Sequence, residues 1–246
     1  MKIGLHCLIR KIESSFKNII ALSTALLLTV FSFARLHAQL LLGTTTWGAS
    51  AHGSVFLYNV GTNSLTNIAN LSPGTGLGYY PEGSFIKASN GKFYAMMSDG
   101  DVGSGSIGTV VEYDILTGVL TKKADFDTGF NGTGGQPYGS FVEGMKDKLY
   151  AMTPNGGATN HGSIVEYDIA TNTLTKKIDL DSIKGWTAYG TLIKASNGKL
   201  YGLMSSGGVY NKGTVIEYDM VLNTLTKKAD FDGINGLIPW GDFIEA

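Results

Sequence analysis

One segment of the chain occurs three times with small changes, and this repetition constrains the fold more than any other feature. GKFYAMMSDGDVGSGSIGTVVEYDILTGVLTKKADFD at 91–127 returns as DKLYAMTPNGGATNHGSIVEYDIATNTLTKKIDLD at 147–181 and as GKLYGLMSSGGVYNKGTVIEYDMVLNTLTKKADFD at 198–232. A weaker first copy, LLLGTTTWGASAHGSVFLYNVGTNSLTNIANL, occupies 40–71. Equivalent tyrosines lie 55, 54 and 51 residues apart, at Tyr58, Tyr113, Tyr167 and Tyr218. Such regular spacing indicates one structural unit built four times.

Each unit is predicted to contain four β-strands. In the second copy, apolar alternation, β-branched and aromatic residues and turn residues place the strands at 84–88, 92–98, 108–115 and 119–126. Asn90-Gly91 supplies the turn that tight hairpins favour. Asp114 is placed to begin an Asx-type turn before the fourth strand. No segment after residue 38 shows a sustained helical period.

Four antiparallel strands in about fifty residues are the spacing of a propeller blade, close to the kelch period. We therefore predict an all-β, β-propeller-like array of four-stranded antiparallel blades, with about four units. The units lie near 40–79, 80–136, 137–186 and 187–239, followed by a partial strand at 240–246. That last strand either completes the first blade and closes a ring, or belongs to a longer, truncated array. We favour truncation, because the chain stops where Ser-Asn-Gly-Lys would come next.

The first 38 residues have the pattern of an export signal. Lys and Arg residues precede an apolar run at 19–34, and Leu36-His37-Ala38 then leads into Gln39. The run is shorter than the roughly 20 apolar residues of a comfortable membrane span. We expect cleavage after Ala38, a secreted or outer-surface location, and no membrane insertion after cleavage. An uncleaved N-terminal anchor is the alternative.

Without this segment the composition excludes several function classes. The whole chain has 19 Lys and Arg residues and 20 Asp and Glu residues, and the first 38 residues contain five of the cations and one of the anions. The remainder therefore has 14 lysines, 19 acidic residues, no arginine and no cysteine. A chain with this charge has no electrostatic basis for binding nucleic acid. Without cysteine it has no disulfide, thiolate zinc site or thiol nucleophile. No cofactor is expected, apart from the calcium considered below.

The repeats resemble a known family. The succession Asp-Phe-Asp…Asn-Gly…Pro-Tyr-Gly, Gly-Lys-Leu-Tyr-Gly and Gly-Gly…Gly-Thr-Val-Ile-Glu-Tyr-Asp is similar to the GloVer tandem repeats over about 40–246. These repeats occur in secreted bacterial proteins whose C-terminal anchoring or sorting domains vary. The resemblance implies export and a propeller-like array, and it implies no established activity. This chain departs from the family in having no C-terminal sorting domain, so we expect a missing end.

Aromatic residues mark one face of the predicted array. Strand direction alternates, so the long loops between strands B and C, and between D and the next A, share a face suited to function. Just before each inner strand A, and always followed by Gly, stand Glu82, Tyr138, Tyr189 and Trp240. Trp47 and Trp186 fall in loops of the same face. These five aromatic residues either stack on a ligand such as a sugar ring or pack against the next blade.

A repeated Asp-x-Asp motif ends the fourth strand of the second, third and fourth copies. Its members are Asp125, Asp127, Asp179, Asp181, Asp230 and Asp232. Alternate carboxylates in a Gly-Asn loop are candidate calcium ligands, and Asn131 or Asn235 follows two of the three motifs. Asp before an Asn-Gly turn is also ordinary turn chemistry. Both interpretations stay open.

No catalytic constellation emerges from the sequence. Glu112, Glu166 and Glu217 repeat in strand C, where paired lysines of strand D are placed for cross-strand ion pairs. Glycosidase chemistry needs two carboxyls in one cleft, whereas these lie on separate blades. We expect a secreted or surface module that binds an extracellular glycan or protein through its long-loop face. A propeller-fold carbohydrate-active enzyme and a structural spacer are the alternatives.

Overall fold

The computed structural model describes residues 39–48, 51–101, 107–127 and 132–246. The export signal predicted at 1–38 lies outside the described residues, as does Asn131. The described residues form strands, turns and loops only, so the predicted all-β class is confirmed. Across these ranges no helix has the length and apolar character needed to span a bilayer.

The strands follow the repeat. Within the described residues they are β1 (Leu40–Thr45), β2 (Ser54–Asn59), β3 (Ser64–Asn70), β4 (Ile86–Lys87), β5 (Phe93–Met97), β6 (Thr109–Asp114), β7 (Val119–Asp125), β8 (Val142–Met145), β9 (Lys148–Thr153), β10 (Ser163–Asp168), β11 (Thr173–Asp179), β12 (Ile193–Lys194), β13 (Leu200–Met204), β14 (Thr214–Asp219) and β15 (Thr224–Asp230).

Each repeat forms its own antiparallel sheet with the strands in chain order. Repeats 2, 3 and 4 give β4-β5-β6-β7, β8-β9-β10-β11 and β12-β13-β14-β15, and repeat 1 gives β1-β2-β3. These are the predicted four-stranded blades, with the inner strands β4 and β12 shorter than expected. In the part of the chain that the structure describes, 240–246 adds no strand to the β1-β2-β3 sheet.

By internal contacts the chain divides into two compact units. The larger, Leu42–Tyr58 with Leu65–Ala246, contains all the candidate site residues. Among the described residues, the smaller consists of 39–41 and Asn59–Ser64. Within it the Asn59 side chain accepts hydrogen bonds from the backbone N–H groups of Gly61, at 2.9 Å, and Thr62, at 3.1 Å.

The hairpin between strands C and D is set by one aspartate and one residue with positive φ. Asp114 Oδ1 accepts the backbone N–H of Leu116 at 2.9 Å, and Asp168 and Asp219 bind the equivalent N–H groups at 2.9 and 3.0 Å. The φ angles are 71° at Gly118 and 55° and 51° at its equivalents Asn172 and Asn223. Gly and Asn are the residues that adopt this conformation at least cost. The predicted Asx-type turn is confirmed.

Apolar side chains on both faces of each middle sheet form the core. Val110 and Val111 are adjacent in β6 and therefore point to opposite faces. Val110 packs in a cluster shared with repeat 3, and Val111 packs in a cluster shared with repeat 1. A third cluster joins repeats 3 and 4, where the rings of Tyr150 and Tyr218 lie 6.1 Å apart. Stacking of neighbouring sheets therefore buries what a single sheet leaves exposed.

A polar network repeats inside each four-stranded sheet. The nearly buried Glu112 carboxylate accepts the Tyr94 hydroxyl at 2.6 Å and the Lys92 ammonium at 2.8 Å. Lys123 of strand D lies 3.8 Å from the same carboxylate, so the predicted cross-strand pairing is confirmed for the second lysine of each pair. The sequence did not reveal the strand B partners. Equivalent networks centre on Glu166 and Glu217.

Neighbouring inner strands meet along a seam of glycines, each followed by Ser, Thr or Asp. The N–H of Ser84 donates to Ser140 Oγ at 2.8 Å, and the N–H of Ser140 donates to Thr191 Oγ1 at 3.0 Å. The N–H of Thr191 in turn donates to the Asp242 carboxylate. The seam glycines are Gly83, Gly139, Gly190 and Gly241. Each of the first three lies against the backbone of the next, which leaves no room for a side chain.

The seam can be tested by adding one methyl group. A Cβ on Gly139 would lie 2.4 Å from the carbonyl oxygen of Gly190, whereas a Cβ on Gly241 meets nothing within 4 Å. We expect Gly139→Ala to lower the free energy of unfolding by about 1–3 kcal/mol, the usual cost of overpacking. Gly241→Ala, at the equivalent seam position, serves as the matched control and is expected to change little. Urea unfolding measures both, and equal effects would contradict the close approach.

The Glu217 network predicts a pH dependence of stability. Hydrogen bonds from Tyr201 and Lys199, with the charges of Lys199 and Lys228, lower the pKa of Glu217 from 4.5 to about 2. A lowered folded-state pKa stabilises the protein above the unfolded value, and that contribution is lost as the pH falls toward the folded value. Glu217→Gln should therefore be less stable than the parent at pH 7, with the difference shrinking between about pH 4.5 and 2. Urea unfolding across this range checks it; a constant difference would argue against the network.

Candidate functional site

The segments that enter each inner strand lie beside the ends of strand B. Isolated bridges pair Tyr79 with Asp99, Gly135 with Asn155, and Trp186 with Ser206. The B–C loops and the D–A segments therefore share one side of the sheets, here called the long-loop face. This is the face on which the sequence placed its candidate residues.

An unusual backbone conformation recurs on this face before each of the inner strands β4, β8 and β12 and before the last segment, 240–246. The residues with positive φ are Tyr80, at 54°, Gln136, at 51°, Thr187, at 59°, and Ile238, at 49°. Such angles are uncommon for residues other than glycine and strained for a β-branched side chain. Backbone hydrogen bonds hold them in place: the N–H of Tyr80 donates to the carbonyl of His52 at 3.0 Å, and the N–H of Ile238 donates to the carbonyl of Lys212 at 2.8 Å. Two positions after these residues the chain has Glu82, Tyr138, Tyr189 and Trp240, so each of the four follows the same backbone conformation.

Three of these residues come together in what we call the aromatic row. The rings of Tyr138 and Tyr189 lie 5.2 Å apart at 84°, and those of Tyr189 and Trp240 lie 4.9 Å apart at 51°. The two tyrosines are half-buried, and Trp240 is 67% exposed. The rings thus pack on one another across repeats and keep an accessible outer surface. Ligand binding by them stays a prediction.

A second group of rings stands at the other end of this face, around Glu82. Trp47 and Tyr80 lie 5.4 Å apart, and with Thr46 and Glu82 they line an open cleft of about 490 Å³. We call this the acidic cleft. Thr46 Oγ1 donates to the carbonyl of Pro81 at 3.3 Å, which ties the cleft to the end of β1. Sequence reasoning found Trp47 but missed Tyr80, although Tyr-Pro-Glu aligns with Gln-Pro-Tyr one repeat later.

Glu82 lies in a segment that contacts the segment of Tyr138, the first residue of the aromatic row, through Gly83 and Gly139. Partial burial, and then the neighbouring Asp99 carboxylate, raise the pKa of Glu82. Burial likewise raises the pKa of the Tyr138 phenol, and the charge of Glu82 adds to that shift, followed by Tyr189. Gly83, next to Glu82, lies against the backbone of Gly139, next to Tyr138, and the N–H of Ser84 donates to Ser140 Oγ at 2.8 Å. The acidic cleft and the aromatic row are therefore neighbours on the long-loop face.

Trp186 does not join this surface. Its ring meets that of His161 at 4.9 Å and 88°, and the two side chains line a separate cleft of about 540 Å³. Ile183 and Val209 form part of the same lining. His161 Nδ1 is buried without a hydrogen-bond partner among the described residues. Among the described residues, no ring contact joins Trp186 to the other four predicted aromatic residues.

The Asp-x-Asp carboxylates are engaged by lysines and backbone N–H groups. Asp179 accepts Lys176 Nζ and the N–H of Ala158, both at 2.8 Å, and Asp125 and Asp230 pair with lysines in the same way. Asp181 accepts the N–H of Ile183 at 3.0 Å, as Asp232 does that of Ile234 at 2.8 Å. Among the described residues no three His, Cys, Asp or Glu side chains gather as metal ligands. Calcium binding stays a prediction, checked by the melting temperature with and without EDTA.

The strained backbone next to the row makes its own prediction. Ile238 is β-branched and has a φ of 49°, a conformation that Asn adopts more readily. Ile238→Asn is therefore expected to raise the free energy of unfolding by roughly 0.5–1 kcal/mol. Ile244→Asn replaces another exposed isoleucine, one without positive φ, and should give no gain. Urea unfolding compares the two variants, and stabilisation confined to Ile244→Asn would contradict the strain.

Comparison with known proteins gives a family and a shared fold. A profile of the Gloeobacter/Verrucomicrobia repeat family matches residues 34–246, which confirms the resemblance found in the sequence. No curated protein sequence is significantly similar to the chain. Among solved structures, the extracellular domain of the one-component system BT4673 from B. thetaiotaomicron is similar at 13% identity and a TM-score of 0.50, over 80% of this chain and 23% of that one. This likeness shows the fold alone.

Two further structures are similar at lower scores. TolB from Acinetobacter baumannii matches at 10% identity and a TM-score of 0.48, over 77% of this chain and 43% of that chain. Periplasmic gluconolactonase from Pseudomonas aeruginosa matches at 18% identity and a TM-score of 0.47, over 73% and 49%. The chain thus spans less than half the length of each of these three proteins.

Proposed function

Because this chain belongs to the Gloeobacter/Verrucomicrobia repeat family, a propeller-like tandem-repeat module, we propose that it is exported and binds an extracellular glycan through the aromatic row. The observation that carries the proposal is the continuity of the row. Rings from successive repeats follow one another at 5.2 and 4.9 Å. A polymer of sugar rings offers a series of apolar faces that such a row can stack on.

The row is built to hold its shape before a ligand arrives. Below it, the glycine seam brings inner strands together, and the positive-φ residues fix the chain on entry to each strand. The row tyrosines also pack edge to face, which restricts ring rotation. A preorganised surface loses less conformational entropy on binding, so more of the contact energy appears as affinity.

The export part of the proposal rests on the N-terminal segment. A basic start, the apolar run at 19–34 and Leu36-His37-Ala38 are the features that a signal peptidase recognises. Glycans outside the cell are then the polymers that the row would meet. N-terminal sequencing of the mature protein is expected to begin at Gln39, and an intact Met1 would favour an uncleaved anchor.

Two other functions make different predictions for the same purified protein. A carbohydrate-active enzyme would release new reducing or unsaturated ends from polysaccharides, whereas a binding module leaves them intact. A spacer would retain no ligand at all. A protein ligand would replace the glycan if extracellular proteins were retained while a glycan array stayed blank.

Substitutions in the row test the proposal. On the best ligand of a glycan array, Trp240→Ala and Tyr189→Leu should each weaken binding about five- to tenfold, as expected when one stacked ring is lost. Tyr210→Ala removes another exposed aromatic side chain, one that lies outside the row, and should bind as the parent does. Isothermal titration supplies the affinities, and circular dichroism confirms that each variant is folded. Equal weakening by Tyr210→Ala, or unchanged binding by both row variants, would refute the role of the row.

A further inference from the structure

We propose that the acidic cleft, formed by Trp47, Tyr80 and Glu82, binds the ammonium group of an amino sugar. The inference rests on the proposed function and refines it: the aromatic row can stack on many sugars, whereas the cleft selects one that carries a positive charge. Two features carry the argument: a carboxylate without a partner and two rings beside it.

Glu82 differs from every other glutamate among the described residues. Glu112, Glu166 and Glu217 bind lysine and tyrosine side chains, and Glu143 and Glu245 each accept the N–H and hydroxyl of a serine. Within the described ranges, Glu82 has no such ion pair or hydrogen bond. Partial burial raises the pKa of Glu82, and the charge of the Asp99 carboxylate adds to that shift. A carboxylate that has a second carboxylate in its surroundings and no cationic partner favours a cation from outside.

The rings of the cleft suit the same cation. Trp47 is 68% exposed and stands 5.4 Å from the half-buried Tyr80, so the cleft has an accessible aromatic wall. Cations are attracted to the electron-rich face of Trp and Tyr, and Trp is the strongest of the aromatic side chains in this respect. The carboxylate can pair with an ammonium group, and the aromatic wall can contact both that cation and the apolar face of the sugar ring that carries it.

Comparison between repeats shows that the acid is specific to this position. Where the segment before β4 has Glu82, the equivalent later segments have Tyr138, Tyr189 and Trp240. Their surroundings are otherwise alike, since each follows a positive-φ residue by two positions and precedes a seam glycine. One subsite of the series is therefore ionic and the other three are apolar.

The place of the cleft favours a sugar over other ammonium compounds. Gly83, next to Glu82, lies against the backbone of Gly139, next to Tyr138, which is the first ring of the aromatic row. A glycan with its amino sugar in the cleft can extend onto the row, where neutral rings stack. The cleft volume of about 490 Å³ is within the range of small-ligand sites.

The experiment compares two tetrasaccharides that differ in N-acetylation and therefore in charge. At mildly acidic pH, glucosamine tetrasaccharide carries ammonium groups, whereas in N-acetylglucosamine tetrasaccharide the nitrogens are acetylated and neutral. We expect the protein to bind the charged compound about three- to tenfold more tightly at low salt, as a partly exposed ion pair with a cation–π contact would give. Glu82→Gln should abolish this preference. Asp125→Asn, which removes one charge on the outermost strand of the same repeat, should keep the preference.

Each outcome decides the matter. Equal binding of both tetrasaccharides, or a preference that survives in Glu82→Gln, overturns the cleft assignment and leaves the aromatic row standing. Loss of the preference in Asp125→Asn also overturns it, because net charge would then explain the effect. Tighter binding of tetralysine would mean that the cleft takes a cationic peptide, which contradicts the amino-sugar assignment. If neither tetrasaccharide binds, the inference fails; if neutral polysaccharides also fail to bind, the proposed function fails with it.

Discussion

The fold depends on stacking one sheet against the next, because a single four-stranded sheet cannot bury its own side chains. Val110 and Val111 point to opposite faces of β6, and each is fully buried only because a different neighbouring sheet covers it. How closely the sheets approach is set at their inner edges. There the glycine seam replaces side chains with backbone, and hydroxyl or carboxylate groups of one repeat accept the N–H groups of the one before. Most recurring residues therefore serve this stacking.

Function on such a scaffold belongs where the repeats differ. The Glu112 network and its equivalents are nearly identical in repeats 2, 3 and 4, and they hold strands together within each sheet. On the long-loop face the same structural position carries either an acid or an aromatic ring. The backbone around it is held in a strained conformation that packing compensates. A constant frame with variable side chains is the arrangement expected of a binding surface.

The repeat allowed much of the fold to be predicted, because strand alternation and turn residues are local signals. The strands of repeat 2, the Asx-type turn at Asp114 and the common side of the long loops all followed from it. What escaped prediction depends on contacts between repeats. Neither the positive φ of Ile238 nor the packing of Trp186 on His161 can be read from the spacing of residues in the sequence. Whether Glu82 has an ion-pair or hydrogen-bond partner likewise depends on which side chains the fold brings near it, and the sequence alone does not show that.

The three tryptophans provide the most direct test of the binding surface, since each has one indole N–H signal in a two-dimensional NMR spectrum. Trp47 and Trp240 lie at the acidic cleft and in the aromatic row, whereas Trp186 packs on His161 elsewhere. On titration with glucosamine tetrasaccharide, the signals of Trp47 and Trp240 should move together while that of Trp186 stays in place. Movement of Trp186 alone, or of none of the three, would contradict the account.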